Sequence, residues 1–171
     1  MKSIYLLRHA KSDWGDAALA DIDRPLSARG KSAADSMALF LANAEIKPNL
    51  VICSSAVRTR ETLARILPGL GNTVPAVIED ALYGAAAGKL LRRLHGLDDG
   101  LASVMLIGHN PALEELARRL AGGGDTGALA RMAAKFPSGA LAALEADVAR
   151  WRDLEAGGAR LAAFVCPRDL G

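Results

Sequence analysis

The stretch Ser3-Ile-Tyr-Leu-Leu-Arg-His-Ala10 decides how the chain reads. Ser3 to Leu7 is an apolar run too short for a helix and without polar alternation, the pattern of a strand covered on both faces. At its carboxyl end the chain turns abruptly polar with Arg8 and His9. A loop, KSDWGDAALADIDRPL at 11–26, then leads to a helix whose start is marked by Ser27, a favoured N-cap residue.

Working outward, the same unit recurs. The helix over 28–44 carries Ala34, Met37, Leu41 and Ala44 at helical spacing and ends before Pro48, and LVICS at 50–54 is the second strand. A helix over 56–67 stops at Pro68-Gly69, a third strand covers 74–78 and a helix covers 88–97. The fourth strand is 103–107, and Asn110-Pro111 opens a helix in cap-then-proline order, with Glu114 and Glu115 in its first turns. GGGDTG at 122–127 reads as a turn or flexible loop, followed by a short helix over 128–134 and strands at 140–145 and 160–165. Apolar strands alternating with helices predict an α/β fold. The expected form is a three-layer α/β/α sandwich on a mostly parallel sheet, one domain over 1–171, with room for an antiparallel edge near the C-terminus.

Composition agrees with a compact domain. At 171 residues, size scaling predicts roughly 8,000 Å² of exposed surface and a core that needs no disulfide or metal. With 51% hydrophobic but 4% aromatic residues, that core must be built from Ala, Leu, Ile and Val. The formal charge is +2, without a basic run or a zinc-finger spacing, so nucleic acid is not an expected partner. No segment has the ~20 apolar residues of a membrane span, and Cys53 and Cys166 read as separate reduced thiols, which predicts a cytoplasmic protein. The pattern leaves the oligomeric state open.

Ligands of parallel sheets bind beyond the carboxyl ends of the strands. Three ends matter here: Arg8-His9 after the first strand, SSAVR with Arg58 after the second, and Gly108-His109-Asn110 after the fourth. Two histidines and two arginines in one crevice call for an anion with several oxygens, and phosphate suits the arginine fork and helix-terminal N–H groups. His95 lies in a helix away from any strand end and reads as a helix-end or exposed residue.

These residues carry a resemblance. LLRHAKSDW at 6–14, RPLSARG at 24–30, SSAVRTRET at 54–62 and GHNP at 108–111 resemble the histidine phosphatase superfamily, with its phosphoglycerate-mutase-like fold. RHAKSDW with RPLSARG, LYGA at 82–85 and FPSGALA resembles its small SixA-like branch of phosphohistidine phosphatases. The resemblance implies that His9 is the nucleophile, that Arg8, Arg58 and His109 bind the phosphoryl oxygens, and that no cofactor or metal is used. Asn110 is expected first as a helix cap. Glu79 is the positional match to the acid that follows the third strand in larger members, with Asp80, Asp13 and Asp23 as alternatives. Only about 20 residues separate LYGA from the fourth strand, too few for a large lid, which favours a protruding substrate such as a phosphorylated protein side chain. A small-molecule phosphomonoesterase and a non-catalytic phosphate-recognition protein stay open beside it.

Other hydrolase classes fit poorly. The three histidines show no HxH or HExxH spacing. Cys53 has four residues between it and Arg58, one short of a cysteine-phosphatase loop. Asp21-Ile22-Asp23 does not end an apolar strand, and no P-loop or GxGxxG occurs.

Overall fold

A computed structural model describes residues 1–171. The strands are β1 (Lys2–Arg8), β2 (Leu50–Ser54), β3 (Ala76–Glu79), β4 (Ser103–Gly108), β5 (Ala121–Gly124), β6 (Leu141–Ala146) and β7 (Ala159–Val165). The helices are α1 (Ala28–Asn43), α2 (Val57–Leu70), α3 (Ala87–His95), α4 (Ala112–Leu120) and α5 (Thr126–Ala134). They form the expected three-layer α/β/α sandwich on one seven-stranded sheet of order β3-β2-β4-β1-β6-β7-β5.

Side-chain alternation along the strands divides the core. Ile4, Leu6, Ile52, Val104 and Leu106 pack toward α3, α4 and α5, whereas Leu7, Val51, Cys53, Met105 and Ile107 pack toward α1 and α2. Both faces of β1, β2 and β4 are therefore apolar, which is why their sequences lack alternation. The exposed surface is 7946 Å², close to the size-based expectation.

Four features differ from the sequence reading, each for a local reason. First, β6 runs antiparallel to both β1 and β7 and lies inside the sheet, so the antiparallel strand is not an edge. Second, the glycine run is no loop: Ala121–Gly124 is edge strand β5, parallel to β7. A Cβ at Gly122 would lie 2.1 Å from the Gly157 carbonyl oxygen, and one at Gly124, where φ is +136°, 2.2 Å from that of Leu161. Glycine here permits backbone contact rather than flexibility. Third, α2 continues through Pro68 and Gly69 to a left-handed cap at Gly71, with φ of 96°. Gly69 is the crossing point on α1, where a Cβ would come within 2.1 Å of the Ala38 carbonyl oxygen. Fourth, β3 starts at Ala76 and is the other edge, with Val77 and Ile78 exposed.

The loop after β1 is fastened to α1. Ser27 Oγ accepts from the Gly30 N–H at 3.0 Å and donates to the Lys11 carbonyl at 3.1 Å, while Glu61 accepts from the Leu26 N–H. Gly30 lies so close that a Cβ would sit 2.0 Å from the Lys11 carbonyl oxygen. Gly30→Ala is therefore expected to cost about 1–3 kcal/mol through backbone displacement. Gly88→Ala, whose Cβ would meet only the end of Arg92, should be neutral or gain up to ~1 kcal/mol. Urea midpoints of the two variants check the contrast; equal shifts would contradict it.

Candidate active site

The crevice follows from strand order. β1 connects through α1 on one face of the sheet and β4 connects through α4 on the other, so the chain leaves these adjacent strands in opposite directions. That is the switch point at which open α/β sheets bind ligands. The parallel register pairs Arg8 with Gly108, and His9 N–H donates to the Gly108 carbonyl at 3.1 Å. The residues after each strand, His9 and His109, thereby come side by side, with ring centroids 5.3 Å apart.

His9 is 7% exposed. Its Nδ1 donates to the Ala10 carbonyl at 2.7 Å, which leaves Nε2 as the lone-pair nitrogen. The backbone beneath it is tied on both sides: Ala10 N–H donates to Thr62 Oγ1 at 3.1 Å, and Gly139 N–H is shared between the Arg8 and His9 carbonyls. His109 Nε2 lies 2.8 Å from Ser54 Oγ. Because that hydroxyl accepts from the Ala56 N–H, its own proton is free for Nε2, a pattern consistent with a protonated Nδ1.

Arg8 Nη1 donates to the Phe136 carbonyl at 3.0 Å, and Asn110 Nδ2 donates to the same oxygen at 2.9 Å. Asn110 Oδ1 also accepts from the Glu114 N–H at 3.3 Å, although Pro111 occupies the N-cap position. Asn110 therefore both caps α4 and braces the Phe136 segment. Arg8 Nε and His109 Nδ1 are buried without a partner in the chain. Unmet buried polar atoms cost about 1–3 kcal/mol each, and an oxyanion supplies acceptors for both.

Arg58 occupies the first turn of α2 and is buried. Its guanidinium donates to the Asp21 carbonyl at 2.7 Å and to Asp21 Oδ2 at 3.1 Å, while the Tyr83 hydroxyl donates to the same carboxylate oxygen. Tyr83 also stands edge-on to His109, with centroids 5.6 Å apart. Asp21 and Tyr83 were not legible as site residues. They lie 37 and 25 positions from Arg58 in a polar loop and after an edge strand, and no local pattern links them to it.

The acid assigned to Glu79 is corrected by this geometry. Glu79 receives two nitrogens of Arg93, at 2.8 and 2.9 Å, and its strand lies three positions from β1, about 14 Å across the sheet. An edge-strand carboxylate locked to an α3 arginine does not serve a leaving group beside His9. Asp80 and Asp23 line a different cavity, with Arg60 and Ser55, and Asp13 Oδ1 closes a turn on the Gly15 N–H. Asp21 is engaged by Tyr83 and Arg58. The structure thus gathers His9, Arg8, Arg58 and His109, and none of the four proposed acids hydrogen-bonds a member of that cluster. His95 stands apart on α3, bonded to the Leu154 carbonyl.

Electrostatics keep both histidines neutral. Burial, reinforced by His109, Arg58 and Arg8 and opposed by the Ala10 hydrogen bond, pulls His9 down to about 3. Burial and then Arg58 pull His109 down to about 4. The Tyr83 hydrogen bond, with Arg58, holds Asp21 below the usual carboxylate range. Burial pushes the Cys53 thiol up to about 12, the state of a core thiol rather than a nucleophile.

A phosphoryl-binding α/β protein with a neutral, oriented histidine at a strand end is the class this geometry defines. The sequence profile of the histidine phosphatase superfamily (branch 1) matches residues 4–95, and the chain belongs to that family. An uncharacterized protein of Mycobacterium tuberculosis is 37% identical over 169 residues, covering 95% of this chain and 100% of that one. A solved structure of a candidate phosphohistidine phosphatase SixA from Agrobacterium tumefaciens aligns with a TM-score of 0.82 at 30% identity, covering 97% of this chain and 98% of that one. One from Nakamurella multipartitia aligns at 0.83 and 28%, covering 97% and 96%. No helix is long and apolar enough to cross a membrane.

The depressed histidines set an acid-stability slope. An unfolded histidine titrates near 6.5, so between that pH and about 4 the unfolded chain binds protons that folded His9 and His109 do not. Their contribution to stability is present above pH 6.5 and is lost as pH falls. Unfolding near pH 5 should take up nearly two protons more in the wild type than in a His9→Gln/His109→Gln variant. Equal pH slopes of the urea midpoint would contradict this.

Proposed function

We propose that the protein is a phosphatase that passes a phosphoryl group through His9, with phosphohistidine on a protein as its substrate class. The observation that carries the substrate class is the position of the acids: Glu79, Asp13 and Asp21 are engaged by other groups, and no carboxylate hydrogen-bonds either imidazole. An alkoxide leaving group, with a conjugate acid near water's ~15.7, needs a proton from the enzyme. An imidazole whose second ring nitrogen already carries a proton departs as the neutral base, with a conjugate acid near ~6.5, and needs no proton from the enzyme. The likeness to SixA structures supports the same reading.

In the proposed reaction, the His9 Nε2 lone pair attacks phosphorus while the P–N bond to the substrate imidazole, protonated on its other ring nitrogen, breaks, so that the electron pair stays on the leaving nitrogen and neutral imidazole departs. Arg8, Arg58 and His109 Nδ1–H hold the phosphoryl oxygens as charge redistributes. The Nδ1 bond to the Ala10 carbonyl keeps His9 oriented and stabilises the cation formed on phosphorylation. Water then attacks phosphorus, the bond to Nε2 breaks, and inorganic phosphate leaves with the water's proton passing to phosphate or solvent. A cavity of about 400 Å³ beside His109, walled by Leu82, Gly84, Ala86 and Glu115, gives the leaving side chain room. The buried thiols Cys53 and Cys166 suit a cytoplasmic setting.

The test is rapid-quench trapping with labelled phosphohistidine protein, phosphoserine peptide and small phosphate esters in parallel. Wild type should form an acid-labile phosphoenzyme that His9→Ala lacks, and Arg58→Ala should slow its formation by about 10²–10³-fold. The phosphohistidine kcat/KM should exceed the phosphoserine value by at least about 10²-fold, the scale of a missing general acid. Undiminished turnover by His9→Ala would overturn the mechanism, and comparable use of phosphoserine would overturn the substrate class.

Asp21→Asn keeps the Tyr83 contact but removes the counter-charge of Arg58. The lost charge by itself favours anion binding, so if the Asp21 carboxylate positions Arg58, KM should rise by several-fold, with the phosphoenzyme still detectable and the rise persisting at high salt. An unchanged KM would show that Arg58 is positioned without Asp21.

A further inference from the structure

A second cavity opens at the same end of the sheet, on the side of β1 away from β4. It has a volume of about 350 Å³ and is bounded by Lys11, Arg29, Lys135 and Arg168, together with Ser138 and Cys166, and no acidic residue lines it. All four cations are exposed. None takes part in the six ion pairs of the protein, and none has a side-chain hydrogen bond, whereas Arg8, Arg58, Arg93 and Arg118 all have partners. Four unpaired like charges around one cleft repel each other in a chain whose net charge is only +2.

Local structure does not account for them. Lys135 follows the last turn of α5, where a cation matches the helix dipole, but Arg29 lies in the first turn of α1, where it opposes the dipole and where no acidic residue is present. The cleft also adjoins the catalytic backbone. Lys11 is two positions beyond His9. Lys135 and Pro137 flank Phe136, whose carbonyl holds Arg8 and Asn110, and Gly139 N–H bonds to the Arg8 and His9 carbonyls.

We propose that this cleft docks an acidic segment of the phosphorylated protein substrate, beside the side chain whose phosphate enters the His9 crevice. The proposal rests on a protein being the substrate. A protein segment suits the cleft better than a small ion because its cations are long, exposed and spread over four separate elements, with no buried polar side chain among them to grip a single ion. Such a field steers and retains an extended, multiply charged chain, and salt screens it within about a Debye length of ~10 Å.

Binding of a fluorescein-labelled peptide of alternating Glu and Ala, measured by anisotropy at low salt, tests the cleft independently of catalysis. Arg29→Glu/Lys135→Glu should weaken binding by about tenfold or more. Lys47→Glu/Arg152→Glu, with the same charge change at the opposite end of the sheet, should leave it within about twofold. A second measurement uses a phosphohistidine protein and free phosphohistidine as substrates. The cleft variant should raise KM for the protein alone, with kcat and the free-substrate kcat/KM unchanged. Equal loss in both double variants, no peptide binding by wild type, or parallel loss on both substrates would each overturn the proposal. If phosphohistidine is not turned over at all, peptide binding still decides the cleft, so the two failures are distinguishable.

Discussion

The in-register pairing of β1 with β4 is the constraint on which the rest depends. Arg8 opposite Gly108, with His9 N–H on the Gly108 carbonyl, sets both histidines at the same level of the sheet. A one-residue slip would reverse the facing of every side chain beyond it and break the division between the two halves of the core. Burial of Ile4, Leu6, Val104 and Leu106 on one face and Leu7, Met105 and Ile107 on the other holds that register. The same apolar packing that stabilises the sheet therefore aligns the site.

Around this pair the protein concentrates positive charge in a place where water is partly excluded. It keeps the imidazoles neutral by burial, anchors Arg58 to Asp21 at the exposed rim, and lets the Phe136 carbonyl orient Arg8. Each device orients a group without placing an acid against His9. The consequence is a crevice lined by cations and two neutral imidazoles, suited to an anion. The cationic cleft beyond Gly139 extends the same positive field along that end of the sheet.

Much of this was legible along the chain. Non-alternating apolar runs ending in Arg8-His9 and Gly108-His109 exposed the parallel sheet and its ligand-binding edge, because burial on both faces writes itself into local composition. Ser27 and its helix read correctly because capping is a local hydrogen bond. The glycine run at 122–124 read wrongly because a close backbone approach and a flexible turn use the same residue. Pro68-Gly69 read as a stop because the demand for a small residue at the α1 crossing comes from another helix. Glu79 read as an acid because its place after a strand was visible, while Arg93 and the edge position of β3 were not.

The sequence alone determined the class of fold and placed Arg8, His9, Arg58 and His109 at element boundaries that local pattern marks, while the family resemblance, not local pattern, pointed to His9 as the nucleophile. Tertiary structure alone decided which charges neighbour one another. Asp21 and Tyr83 on Arg58, Arg93 on Glu79, and four cations around one cleft are pairings across loops and elements, set by strand order and packing. Side-chain electrostatics act over a few ångströms of space, and spacing along the chain does not encode that distance.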